Sequence, residues 1–156
     1  KLIIKNFIGG TPIVSLKRDI LLDSFDDDLR ALEDYELWLN LSRKESFNPY
    51  YLNKCLVQCN YRTKSPSISK SIDDLLNALN LIKKKYLDSF DKLSLNQINQ
   101  KKEWVNSLIA HKYLLNYDRV SSYYYLKSFY YSYKIKYLLI SFLSILSPKL
   151  IFRFKR

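Results

Sequence analysis

Glu33 and Asp34 stand side by side just after an acidic stretch. A carboxylate held at a cleft edge can serve as general base for a hydroxyl nucleophile. Successive helical residues point about 100° apart, so one of the pair can turn to a cleft while the other supports the helix start. The same pair also suits a plainer role, an exposed acidic first turn that complements the helix dipole. Other chemistries are thinly provided for. The chain has 2 glycines, too few for a glycine-rich phosphate loop within this segment. With His111 as its single histidine it assembles no zinc set. Cys55 and Cys59 lie four apart, and on a strand they would be roughly 13 Å apart, too far for a disulfide. A reduced, cytoplasmic setting is the default expectation.

The elements that must position the carboxylates can be read from pattern. Pro12 to Leu16 reads as a strand after a Gly9-Gly10-Thr11 turn. Arg18 to Phe25 suggests one or two helical turns. Arg30 to Arg43 is a stronger helix, with Leu32, Tyr35, Leu39 and Leu37, Trp38, Leu41 at three- and four-residue spacings. Asn48-Pro49 ends it. Tyr50 to Leu52 and Cys55 to Tyr61 read as short extended pieces, and Lys64 to Ser67 as a loop. From Ser71 the period is helical. Ser71 is an expected N-cap with Asp73 and Asp74 behind it, and that helix is expected to reach about Phe90. A second is expected from Ser94 to about Tyr117. A third is expected from Arg119 toward Ser147, where Pro148 should stop it.

Composition divides the chain into unlike ends. Of the 15 acids, 7 fall between Asp23 and Glu36, whereas the stretch from Arg119 to Arg156 holds eight basic residues, no acid, and +8 of the net +11 charge. A basic end suggests an anionic partner: phospholipid headgroups, nucleic acid or a phosphorylated substrate. Seven of the 14 tyrosines lie between Tyr123 and Tyr137. Lys134 and Lys136 flank tyrosines, and Leu138 to Leu146 is strongly apolar. Lys149, Arg153, Lys155 and Arg156 then surround Leu150, Ile151, Phe152 and Phe154. Such a segment suits a headgroup layer, or the core of a small bundle with a solvated basic end. The uncharged run Tyr137 to Pro148 is 12 residues, short of the roughly 20 a span needs. A nucleic-acid-binding helical module is a competing class, since cations interleaved with aromatics can track phosphates and stack bases. No helix-turn-helix, RRM or zinc signature accompanies it, and the acidic cluster near Glu33 would repel nucleic acid. A purely structural interaction domain is a third class.

One ordered set of motifs narrows these alternatives. Asn6, Gly10 to Arg18, Ser24-Phe25-Asp26-Asp27-Asp28-Leu29, Leu32 to Leu39, Tyr61-Arg62 and Ser65 to Ser69 follow one another in an order that resembles the C-terminal half of family 2 glycosyltransferases. In that family an acceptor-side strand is followed by a "GFDE"-like turn, an "ED-aromatic-x-LW" helix and a "YR" strand before a serine-rich loop. The resemblance covers about residues 6 to 71, and the Glu33 to Leu39 block is its most specific part.

The resemblance implies an α/β fold of the GT-A type over residues 1–70, with few short strands. A mainly helical extension over residues 71–156 is similar to those of many bacterial enzymes of this kind, so the whole is expected to be helix-dominated. It implies a nucleotide-sugar donor and a glycan or lipid-linked acceptor, with Asp34 as catalytic base in an inverting transfer and Glu33 as its neighbour. Gly10, Thr11 and Pro12 match a turn near the acceptor and donor sugar, or form a plain turn leading into a strand. Arg62 matches the "YR" arginine, able to meet diphosphate charge bidentately, or is a surface arginine. Trp38 reads as packing behind the helix.

There are departures. Ser24 replaces the usual glycine before Phe25, and Lys64 stands where a histidine is common, leaving a cationic contact with the diphosphate in its place. Asp26-Asp27-Asp28 has the spacing of an Asp-x-Asp metal motif but sits in the "GFDE"-like turn, so it reads as a solvated acidic turn. The manganese or magnesium ion expected in the intact enzyme would therefore have its ligands upstream. The chain begins at Lys1 and has no Met, and it is expected to be a C-terminal piece that does not catalyse alone. The expected setting is peripheral, at the cytoplasmic face of a membrane, in surface polysaccharide synthesis and without nucleic acid.

Overall fold

The computed structural model describes residues 1–17, 25–44, 48–54, 57–58 and 71–153. Helix α1 spans Glu33–Leu41. Its start is unusual: Leu32 is the N-cap with a left-handed backbone (φ 59°) and no side-chain cap. Glu33, Asp34 and Glu36 instead place negative charge on the first turn, where the helix dipole favours it. Six of its nine residues are buried, so α1 is enclosed on nearly every side. Tyr35 and Leu39 join Leu29, Ala78, Ile82 and Tyr86 in one apolar cluster. Leu37, Trp38 and Leu41 form another, on which Leu2, Ile8, Val14 and Leu16 pack.

Helix α2 (Ile72–Lys85) opens at Ser71, whose hydroxyl accepts from the Asp74 amide at 3.2 Å. It buries Leu75, Ala78 and Ile82 along one face and carries Lys83, Lys84 and Lys85 in its last turn, which suits the negative end of the dipole. The backbone leaves the helical region at Tyr86 and resumes as the short α3 (Leu87–Asp91). Helix α4 (Leu95–Leu115) begins with a capping box between Ser94 and Gln97. At 1.5 Å per residue it is roughly 32 Å long, and it links the two ends of the molecule. Trp104 packs on the α1–α2 cluster, while Ala110 and Leu114 join Tyr125, Tyr137 and Ile151.

Helices α5 (Val120–Ser132) and α6 (Ile135–Leu146) form a hairpin that packs on α4, and α7 (Pro148–Arg153) follows. The buried faces of the hairpin each pair one tyrosine with two serines: Tyr125 with Ser121 and Ser128 on α5, Tyr137 with Ser141 and Ser144 on α6. The Ser141 hydroxyl donates to the Ser122 carbonyl at 2.8 Å. Small residues let helix backbones approach closely.

The expected α/β fold is overturned. Among the described residues there are helices and turns but no strand. Pro12 begins no strand; Thr11–Ile13 is a single 3-10 turn. A strand exists only if a neighbour satisfies its ladder groups, and no described segment pairs with this one as a strand. Val14 and Leu16 use their apolar side chains on α1 instead. Residues 50–52 likewise form no strand. The turns expected over 18–25 lie almost wholly outside the described residues, as does most of the 55–61 piece. Two helix expectations also change. The helix expected from Ser71 to about Phe90 is two, α2 and α3, broken at Tyr86. The third helix is two, broken where Tyr133 takes φ 54°. The stop expected at Pro148 holds: α6 ends at Leu146 with Ser147 as its C-cap, and Pro148 starts α7, a position where its missing N–H costs no bond.

Candidate functional site

The N-terminal segment is tied to α1 by backbone acceptors. Asn6 organises the turn that follows it, its Oδ1 accepting from the amides of Ile8 and Gly9, each at 3.1 Å. Gly9 has φ 93°, a conformation that side chains rarely adopt, and a Cβ there would lie 2.7 Å from Ile13 Cδ1. Its carbonyl accepts the indole N–H of Trp38 at 2.9 Å. Trp38 is therefore both core packing and the pin that holds the glycine turn against the helix.

This pinning brings Gly10 to Asp34. A Cβ added at Gly10 would sit 3.6 Å from Asp34 Oδ2 and 3.5 Å from Pro12 Cδ. Thr11 and Pro12 follow, both exposed. Asp34 is half-buried; its Oδ1 accepts from the Tyr35 amide at 2.6 Å, and Oδ2 faces the turn. Burial raises the Asp34 pKa above the ordinary carboxylate value; the Tyr35 amide opposes this and the neighbouring Glu33 charge adds to it. Glu33 is exposed beside it. Five expected site residues (Gly10, Thr11, Pro12, Glu33 and Asp34) thus share one end of α1. Arg62 and Lys64 lie outside the described residues.

Behind this end stand polar groups that pattern alone did not single out. Glu36 is 2% exposed, yet accepts from the Tyr86 hydroxyl at 2.8 Å and from Lys85 Nζ at 2.5 Å. Lys85 also reaches Asp26 at 3.1 Å, and the Arg43 guanidinium lies 4.3 Å from the centre of the Tyr86 ring. These bonds lock α1 to α2 and engage Asp26 of the acidic turn. Among the described residues no three His, Cys, Asp or Glu side chains converge as a metal would need.

On the other side, Tyr35 donates through its hydroxyl to the carbonyls of Leu2 (2.9 Å) and Ile3 (3.1 Å). That hydroxyl accepts from Lys101 Nζ at 2.9 Å. The ammonium also lies 4.5 Å from the Trp104 ring centre, 4.9 Å from that of Tyr35 and 5.2 Å from that of Phe90. Burial pulls the Lys101 pKa down to about 7. Only Glu36 left a trace in the sequence, as a charge at a buried position between Tyr35 and Leu37. Its partners are about fifty residues away, and local pattern does not pair them.

The chain is 29% identical over 158 residues to an "Uncharacterized glycosyltransferase" of Haemophilus influenzae. The match takes in all of this chain but 52% of that protein, so the chain spans about half the length of the curated relative it matches. No protein-family model matches the chain, and no solved structure does.

Proposed function

We propose that this chain is the acceptor-side part of a glycosyltransferase of the family 2 type, with Asp34 as its base. The observation that carries the reading is the approach of Gly10 to Asp34 Oδ2, where even a methyl group would be at 3.6 Å. The half-buried carboxylate has one oxygen held by an amide and the other facing a turn without a side chain. The similarity to a protein named a glycosyltransferase supports the same class.

In this mechanism an acceptor hydroxyl lies against Gly10-Thr11-Pro12 and gives its proton to Asp34 Oδ2. The oxygen forms a bond to the anomeric carbon of a nucleotide sugar. The bond from that carbon to the diphosphate breaks, its electron pair leaving with the nucleoside diphosphate, and the configuration inverts. The fixed carboxylate supplies proximity and a proton acceptor. Glu33 shapes the acceptor side, while Arg62 and Lys64 meet diphosphate charge. A manganese or magnesium ion belongs to the same reading, with ligands beyond this segment. The acceptor is a glycan or lipid-linked chain of a surface polysaccharide, presented at the cytoplasmic face of a membrane.

Replacing Asp34 in the intact enzyme tests this. Asp34→Asn is expected to lower transfer about a hundred- to ten-thousandfold, the range of a lost general base, while donor binding by calorimetry is retained. Glu33→Gln is expected to keep most turnover. Wild-type-like turnover in Asp34→Asn would remove Asp34 from the base role.

A further inference from the structure

Helix α6 has two unlike faces, and its single charged residue, Lys136, lies in its first turn. Tyr137, Ser141 and Ser144 are buried toward the bundle. On the opposite side Ile135, Leu138, Leu139, Phe142, Ile145 and Leu146 are exposed, between 42% and 67% each. Their spacing draws one continuous apolar stripe along the helix. Scattered exposed leucines are ordinary on a protein surface, but a stripe of six marks an interaction face.

The surroundings say which partner fits. Lys136 and Lys149 are exposed at the two ends of the stripe. Each lies near a tyrosine ring: Lys136 Nζ is 4.8 Å from the centre of Tyr137 and Lys149 Nζ 5.7 Å from that of Tyr117. No acid occurs from Arg119 to Arg156, against eight basic residues. An apolar strip bordered by cations complements an anionic surface over an oily layer; the Glu103 carboxylate meets α6 on its buried side, where Tyr137 and Lys134 donate to it. No helix among the described residues is long and apolar enough to cross a membrane.

We infer that the outer stripe of α6 seats in the headgroup layer of an anionic phospholipid membrane, the helix lying in the plane of the surface. The inference deepens the proposed transferase reading by naming the face that meets the membrane. Lipid binding is measured without sugar transfer, so its failure leaves the Asp34 chemistry standing, and failure of Asp34 leaves lipid binding standing.

The test is co-sedimentation of the intact protein with vesicles of phosphatidylglycerol and phosphatidylcholine, and with phosphatidylcholine alone. Binding is expected to the anionic vesicles, to weaken with salt, and to fall roughly tenfold or more in Leu139→Glu/Phe142→Glu, because two charges replace exposed apolar side chains that would enter the headgroup layer. Circular dichroism checks that the exposed substitutions leave the fold intact, and Leu139→Ile/Phe142→Leu is expected to keep binding. Failure of the wild type to sediment, or equal sedimentation of the Glu variant, would overturn the inference. So would a dimer of the wild type that the Glu variant dissociates, without vesicle binding, because the stripe would then face a second copy.

Discussion

Tyr86→Phe removes one oxygen and leaves the ring, so it isolates the hydrogen bond that reaches buried Glu36. In the folded protein Glu36 is 2% exposed and has two side-chain donors, Tyr86 at 2.8 Å and Lys85 at 2.5 Å. Both donors meet the same oxygen, Oε1, so without the phenol O–H that buried oxygen keeps only Lys85, the more exposed of the two. Hydrogen bonds to charged groups contribute about 1.5–3 kcal/mol each, so the expected loss is about 2 kcal/mol. The partner Lys85 is 47% exposed, and water screens its attraction, so Lys85→Met is expected to lose only about 1 kcal/mol. At this chain length each kcal/mol moves Tm by about 2–4 °C, so Tyr86→Phe should melt about 4–8 °C lower. Thermal and urea unfolding of the intact protein measure both variants. A double-mutant cycle with Glu36→Gln should return a coupling of at least about 0.5 kcal/mol. A Tyr86→Phe variant within about 0.5 kcal/mol of the wild type would refute the view that this bond holds α1 to α2.

Four further outcomes follow from the same structure. Gly9→Ala should lose about 1–2 kcal/mol, the left-handed penalty of a side chain, because φ is 93° there. Gly10→Ala should fold like the wild type yet transfer sugar poorly, because its methyl sits 3.6 Å from Asp34 Oδ2; unchanged kcat/KM would move the acceptor away from this turn. Burial raises the Asp34 pKa in the fold, so its contribution to stability is present at low pH and lost as pH rises through that raised value. Asp34→Asn should therefore be at least as stable as the wild type at pH 7 while transfer is lost, and a marked fall in its Tm would make Asp34 a helix cap instead. Lys101 binds its proton less tightly folded, at about 7, than unfolded. It therefore makes stability rise between pH 7 and about 10.4, the ordinary lysine value, an effect that the three surrounding rings moderate. Lys101→Met should flatten that rise in pH-dependent melting, and an identical profile would show that the ammonium is already well solvated.

Much of the helical half was legible in the residues because helix formation is local. Ser71 and Ser94 mark their helix starts by hydroxyls that reach amides three residues on. Leu75, Ala78 and Ile82 repeat at the period of a helix. The Glu33-to-Leu39 block marks α1 in the same way, and Gly9 and Gly10 mark the turn beside it. None of this reaches beyond about one turn of chain. The strand expected at Pro12 to Leu16 depended on a neighbour that a local pattern does not supply, and without one among the described residues its apolar side chains go to α1. The break at Tyr133 was hidden because apolar and tyrosine residues continue through it; the bond from Ser141 to the Ser122 carbonyl and the stacked rings of Tyr125 and Tyr137 bring the two halves together. The pairing of Glu36 with Lys85 and Tyr86, and of Lys101 with Tyr35, Phe90 and Trp104, was likewise decided by how α1, α2, α3 and α4 cross. Residue type offers such charges many partners, and only tertiary packing selects one set, because a buried charge needs its partner within hydrogen-bond reach.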